Sequence, residues 1–291
     1  MDIGNDDPDA YEYAEEPSIG RPRDPRTDDA KAAIVQLFQE HPRRVFYGRQ
    51  IEVLLEHRFF HWITSRGLNE IAREGRIQAL TAPLSVGLGS EPPTAGGPLI
   101  RFFWSPRNRY WRRQAEAVRR LVAEFSRPEF GRALGNHGEQ MFDAALPRAG
   151  FMPRGRDVRQ YADRAWTETG HDLDRVFERD GVAYGVEVKN TLDYIERQEL
   201  EVKIRMCSAL GLRPLFIVRM APKSYIEQVR REGGFTLVFK YQLYPHGHLG
   251  LARQVQDELG LPVDAPAAIA EGTVQRLLRW HREVNEPGGA A

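Results

Sequence analysis

The chain has 291 residues, 41% of them hydrophobic and 28% charged, with 41 basic against 41 acidic side chains and so no net charge. This is the composition of a soluble globular protein long enough for two modest domains, and no apolar run approaches the ~20 residues needed to span a bilayer. A single cysteine, Cys207, excludes an internal disulfide framework and any cysteine-based zinc site.

The start, MDIGNDDPDAYEYAEEP, lacks the basic end and apolar core of a secretion signal, so a cytoplasmic protein with no membrane partner is expected. Residues 1–27 form an acidic leader that cannot bury enough apolar surface to fold alone. The remainder is therefore mildly basic, as suits a nucleic-acid binder.

From Thr27 the pattern turns helical. Asp28 or Asp29 can cap a helix in which Ala33, Ile34, Leu37 and Phe38 recur at helical spacing and which ends before Pro42. A second helix is expected over Tyr47–Leu55. A third, Thr64–Glu74, turns Leu68, Ile71 and Ala72 inward and Arg66, Asn69 and Arg73 outward, and Gly75 can terminate it. Arg76–Leu80 reads as a strand, Pro83–Pro98 as a long Gly/Pro-rich turn, and Leu99–Trp104 as a returning strand.

Three helices followed by a two-stranded wing is the winged helix-turn-helix order, and TSRGLNEIAREGRIQAL resembles the recognition helix and first wing strand of such domains. The resemblance implies a DNA-contacting domain over residues 28–106, with Arg66, Asn69 and Arg73 offered to the groove; the alternative is a protein-contact module. The segment RFFWSPRNRYWRR then leads into a helix over Asn108–Phe125, set in a connecting stretch of residues 107–127. Arg109, Arg112 and Arg113 can face phosphates or simply be solvated, whereas Trp104, Tyr110 and Trp111 are expected to pack.

The second half alternates helices and strands. Helices are expected at Pro128–Leu146, Ile195–Leu210, Lys223–Glu232, His248–Leu259 and Glu271–Val284. Strands are expected at Asp172–Glu178, Ala183–Lys189, Leu215–Met220 and Phe235–Tyr241. With a further strand entered at Gly150-Phe151, the order is αβββαβ, an α/β sheet flanked by helices over residues 128–285. Residues 286–291 form a frayed tail.

The chemistry concentrates in Gly170–Asn190. DLDRVFE and VAYGVEVK read as two strands of a hairpin turned at Arg179-Asp180-Gly181, where Asp-Gly is a strong hairpin signal. Side chains alternate along a strand, so Glu187 and Lys189 share a face, as do Asp172 and Asp174, while Val186 and Val188 point to the core. Two carboxylates and a lysine can therefore meet at one spot. Carboxylates are the ligands that magnesium takes, and an ion so held can activate water and steady a phosphoryl oxygen.

This segment resembles motifs II and III of the PD-(D/E)xK, restriction-endonuclease-like nucleases. The resemblance implies a mixed sheet flanked by helices and hydrolysis of DNA, double-stranded or branched, with Mg2+ or Mn2+. Asp174 and Glu187 would be metal ligands, Lys189 the catalytic lysine, and the carbonyl of Val188 a further ligand. The glutamate that the superfamily often adds on the preceding helix would be Glu139, and Lys203 would face the phosphates from the following helix. His171-Asp172 and Leu173-Asp174 stand where the family has Pro-Asp, so either aspartate can be the ligand, with Asp174 preferred. His171, and His246 with His248 in Tyr-Pro-His-Gly-His, read as turn residues. A homodimer would bring two sites to two strands. The competing reading is a DNA-binding regulator or assembly protein whose nuclease-like fold is catalytically silent.

Overall fold

The computed structural model describes residues 22–88 and 97–285. The acidic leader up to Arg21, the middle of the Gly/Pro-rich turn (89–96) and the tail (286–291) lie outside the described residues. The protein divides into two compact units, one comprising residues up to Gly131 together with Gln254–Leu261, the other Arg132–Arg253 together with residues from Pro262 onward.

The first unit runs α1 (Thr27–Glu40), β1 (Val45–Tyr47), α2 (Gly48–Leu55), α3 (His61–Arg73), β2 (Gln78–Pro83), β3 (Leu99–Trp104) and α4 (Trp111–Phe125). Asp28 and Asp29 do not cap α1. The cap position is Arg26, and the two aspartates sit in the first turn, where negative charge suits the helix dipole. Ile34, Phe38, Ile51, Ile63, Leu68, Ile71 and Phe103 close one apolar core. The strands form an antiparallel sheet in the order β1-β3-β2, with β3 receiving Val45 and Gln78 on either side of Trp104. β1 was not expected, because three residues are too few to show alternation.

α4 is part of this unit and not a connector: Trp111 at its start stacks on Trp104 with ring centroids 4.2 Å apart. It starts three residues later than expected because Asn108 holds a turn, donating to the Arg43 carbonyl at 3.1 Å and accepting from the Tyr110 amide at 3.0 Å. The segment 254–261 joins the unit because buried Gln50 donates to the Leu259 carbonyl at 2.7 Å.

The second unit holds α5 (Pro128–Ala145, its first turn in the other unit), β4 (Met152–Val158), a small hairpin of β5 (Gln160–Tyr161) and β6 (Arg164–Ala165), β7 (Leu173–Arg179), β8 (Val182–Lys189), α6 (Arg197–Leu210), β9 (Arg213–Val218), α7 (Lys223–Arg231), β10 (Phe235–Val238), β11 (Gln242–Leu243), the start of α8 (Leu249–Leu259, in the other unit from Gln254), β12 (Val263–Asp264) and α9 (Glu271–Asn285). The main sheet is mixed, in the order β10-β9-β8-β7-β4. β4, β7 and β8 are antiparallel neighbours; β8, β9 and β10 are parallel.

The β7–β8 turn falls at the expected Asp-Gly and has two residues, because Arg179 still belongs to β7. Asp180 and Gly181 have φ of 51° and 76°, the positive pair that this tight turn requires. Beyond it the strands divide their side chains between two faces. Phe177, Tyr184, Val186 and Val188 pack with Phe142 of α5, Leu146 just past its end, and Leu277 and Leu278 of α9. Gly185, Glu187 and Lys189 face α6, whose Val202, Met206, Cys207 and Leu210 pack with Leu173 and Val176.

Candidate active site

Glu187 is 3% exposed, on a strand whose flanking Val186 and Val188 are buried apolar residues. A carboxylate so placed must find compensation for the water it has lost. The β7–β8 ladder stops at the pair Arg175–Val186, and the next residue, Asp174, continues it with its side chain: Asp174 Oδ2 accepts the Val188 amide at 2.7 Å. That bond holds the Asp174 carboxylate against β8 beside Glu187. Within an extended residue the N–H and C=O leave the strand on the same side, so the Val188 carbonyl also faces β7 at this point.

Burial pushes the Glu187 carboxyl well above the usual range, to about 8, with the Asp174 charge adding to the effect and the two lysines opposing it. Burial also raises Asp174, and the hydrogen bond from Val188 works against the rise. Lys189 Nζ lies 3.5 Å from Glu187 Oε1 and 2.8 Å from Glu199 Oε1 on α6. Burial alone would lower the Lys189 pKa, but the charges of Glu187 and Glu199 outweigh it and raise it.

Lys203 departs from expectation. It does not face solvent or phosphates: it is 4% exposed, with Nζ 2.6 Å from Glu187 Oε2 and donating to the Asp172 carbonyl. The approach to Oε2 is off the hydrogen-bond direction, so that oxygen is buried with a close charge but no geometric hydrogen bond. The sequence carried a trace of this, since Lys203 lies within a run of α6 residues, Leu200, Val202, Ile204, Met206 and Cys207, that are all buried.

Glu139 is also placed differently. Its carboxylate is engaged by Arg175 at 2.9 Å and Arg156 at 3.4 Å, and Arg175 is shared with Asp143 at 2.8 Å. Its charge reaches Asp174, adding to the rise of that carboxyl, but it does not join Asp174 and Glu187 as a third gathered ligand. Among the described residues no three His, Cys, Asp or Glu side chains form a group able to hold an ion. The donor set for a hard cation is thus two carboxylates and one carbonyl, which fits magnesium because that ion keeps several of its waters. The poorly bonded Glu187 Oε2 is an acceptor with capacity to spare. Asp172 precedes β7 and contributes its backbone carbonyl to Lys203; Asp174 is the aspartate beside Glu187.

In the first unit, Arg66, Asn69 and Arg73 lie on the α3 face opposite Ile63, Gly67, Leu68 and Ile71. Asn69 accepts from Arg101 of β3, which ties this face to the strand pair. Arg109, Arg112 and Arg113 are exposed around the start of α4, with Arg112 5.3 Å over the Trp111 ring. Trp104 and Trp111 pack as expected, but Tyr110 is 75% exposed. His171 turns back onto Thr169 at 2.8 Å, and His246–His248 forms a single 3-10 turn. Among the described residues no helix is long and apolar enough to cross a membrane. Comparison of the chain with family models, with curated proteins and with solved structures finds no match.

Proposed function

We propose that this protein is a metal-dependent nuclease that hydrolyses phosphodiester bonds in DNA, with a PD-(D/E)xK core and a winged helix-turn-helix domain before it. The observation that carries this reading is the convergence of Asp174, Glu187 and Lys189 where the β7–β8 ladder ends. Two element orders support it. The run α5-β4-β7-β8-α6-β9, interrupted only by the β5–β6 hairpin, follows αβββαβ, and α1-β1-α2-α3-β2-β3 is a helix trio closed by a strand pair.

Asp174, Glu187 and the Val188 carbonyl would hold Mg2+ or Mn2+, and when bound the ion supplies Lewis acidity to water and to a phosphoryl oxygen. The protein groups do the rest. Val188 N–H fixes the Asp174 carboxylate, so its free oxygen keeps one direction. Glu199 fixes the Lys189 ammonium at 2.8 Å, and from there Lys189 can orient the attacking water or steady charge on the phosphate. Arg175 holds Glu139 and Asp143 as a neighbouring acidic pair without leaving their charges uncompensated. Exposed Arg73, Arg109, Arg112 and Arg113, with half-buried Arg66 beside Arg73 on α3, supply cations for the DNA backbone.

A second reading is favoured by one observation: Lys203 already neutralises Glu187, as expected of a DNA-binding protein whose nuclease-like core is silent. Purified protein incubated with linear, circular, single-stranded and branched DNA in Mg2+, Mn2+ or EDTA decides between them. Cutting that needs Mg2+ or Mn2+ and stops in EDTA is the expected result. Full cutting in EDTA excludes the proposed chemistry, and binding without cutting under every condition favours the silent core.

A further inference from the structure

We propose that Lys203 is a positioning residue that stands in for a divalent cation beside Glu187 and is exchanged for that cation when the site is loaded; this rests on the nuclease reading above. A lysine side chain is long enough to carry its ammonium to solvent, and near a protein surface it ordinarily does. Lys203 instead turns inward and is almost wholly buried. Its ammonium is held by a carboxylate oxygen, Glu187 Oε2 at 2.6 Å, and by a backbone carbonyl, that of Asp172. A carboxylate and a carbonyl are the donors that a hard cation takes.

Both oxygens of Glu187 are faced by an ammonium, Oε2 by Lys203 and Oε1 by Lys189. An ion that takes Glu187 therefore competes with one of them. Lys189 has a second carboxylate to keep it in place, Glu199 at 2.8 Å, whereas the ion pair of Lys203 is with Glu187. Lys203 is thus the one to yield. Its contact with Oε2 is a charge contact without hydrogen-bond direction, and a doubly charged ion competes well for such a partner. Until then Lys203 spares the protein two adjacent buried carboxylates with too little positive charge between them, an arrangement that is strongly destabilising.

The test is calorimetric titration of Ca2+ into the full chain without DNA at pH 8.5, for the wild type, Lys203→Met and the smaller neutral Lys203→Gln, with Lys203→Arg as the charged control. Removing the competing charge should tighten Ca2+ binding by about tenfold in both neutral variants, and Lys203→Arg should bind no tighter than the wild type. Melting curves give a second readout. The neutral variants should melt below the wild type in EDTA and regain at least half of the difference at saturating Ca2+, because an ion that binds only the folded state stabilises it. A lysine that merely packs would lower the melting temperature equally with and without Ca2+ and leave affinity unchanged; that result overturns the exchange and leaves the nuclease reading in place. Absence of Ca2+ binding in the wild type and in both neutral variants overturns both.

Discussion

Asp174, Glu187 and Lys189 were legible in the sequence because strand alternation alone puts Glu187 and Lys189 on one face and an Asp-Gly turn brings the Asp-bearing strand alongside. The partners of these groups were not legible. Nothing local says that Glu199 returns on α6 to the Lys189 ammonium and Lys203 to the Glu187 carboxylate, or that Arg175 engages Glu139. Such pairings are set by packing. Asp174→Asn, Glu187→Gln and Lys189→Met keep approximate shape while removing one charge each, and each should lower the cleavage rate at least about a hundredfold, the loss of ~3 kcal/mol of transition-state stabilisation. Asp172→Asn should cut nearly as the wild type, because only the Asp172 carbonyl is used. Inactivation by Asp172→Asn with Asp174→Asn active would reverse the assignment. Glu187 also gives a pH signature. Its carboxyl rises from 4.5 to about 8 on folding, so the folded chain holds a proton that the unfolded chain releases. The contribution to stability is complete below pH 4.5 and is lost as pH rises through 8. In EDTA, urea unfolding should report stability falling as pH rises across that window, and Glu187→Gln should flatten the fall; an equally steep fall in the variant would place the titration on another group.

At the scale of elements, helices were read well where an apolar stripe exists, as in α1, α2 and α7, whose bounds differ from expectation by a residue or two. β4 was expected after Gly150-Phe151 but without bounds, because MPRGRDV has no alternation: it is an edge strand, exposed at most positions, with a register shift between Pro153 and Gly155 and a positive φ at Asp157. The spacing of α6 from β8 depends on Gly185. A Cβ there would lie 2.6 Å from Cys207 Sγ and 2.8 Å from Leu173 Cδ1, so Gly185→Ala should destabilise by ~1–3 kcal/mol as an overpacked core. It should also slow cleavage, since α6 carries Lys203 and Glu199. Cys207→Ala opens room on one side, and the double variant should recover part of the lost stability. Urea unfolding of the four proteins measures the coupling, and strict additivity would show that Cys207 is not what the new methyl meets.

Over the whole molecule, the carboxylates and lysines of the proposed chemistry belong to one compact unit and the α3 and α4 arginines to the other. The sequence did not show that the first unit also takes Gln254–Leu261, a segment recruited through the buried Gln50 long after the chain has left that unit. This division separates binding from cutting. Arg66, Asn69 and Arg73 share the side of α3 opposite its buried residues, and replacing all three with Ala should weaken DNA binding measured in Ca2+. If Arg66 and Arg73 neutralise phosphates, each lost contact should also reduce the slope of log affinity against log salt by roughly one. The converse should hold for Asp174→Asn and Glu187→Gln, which should keep DNA affinity in Ca2+ within a few-fold while losing cleavage. At saturating protein the triple α3 variant should then cut bound DNA at close to the wild-type rate, because none of its changes touches Asp174, Glu187, Lys189 or Lys203. Unchanged affinity and salt slope in the triple variant would reassign α3 to protein contacts, and a lower single-turnover rate with affinity intact would show that α3 acts on the chemical step.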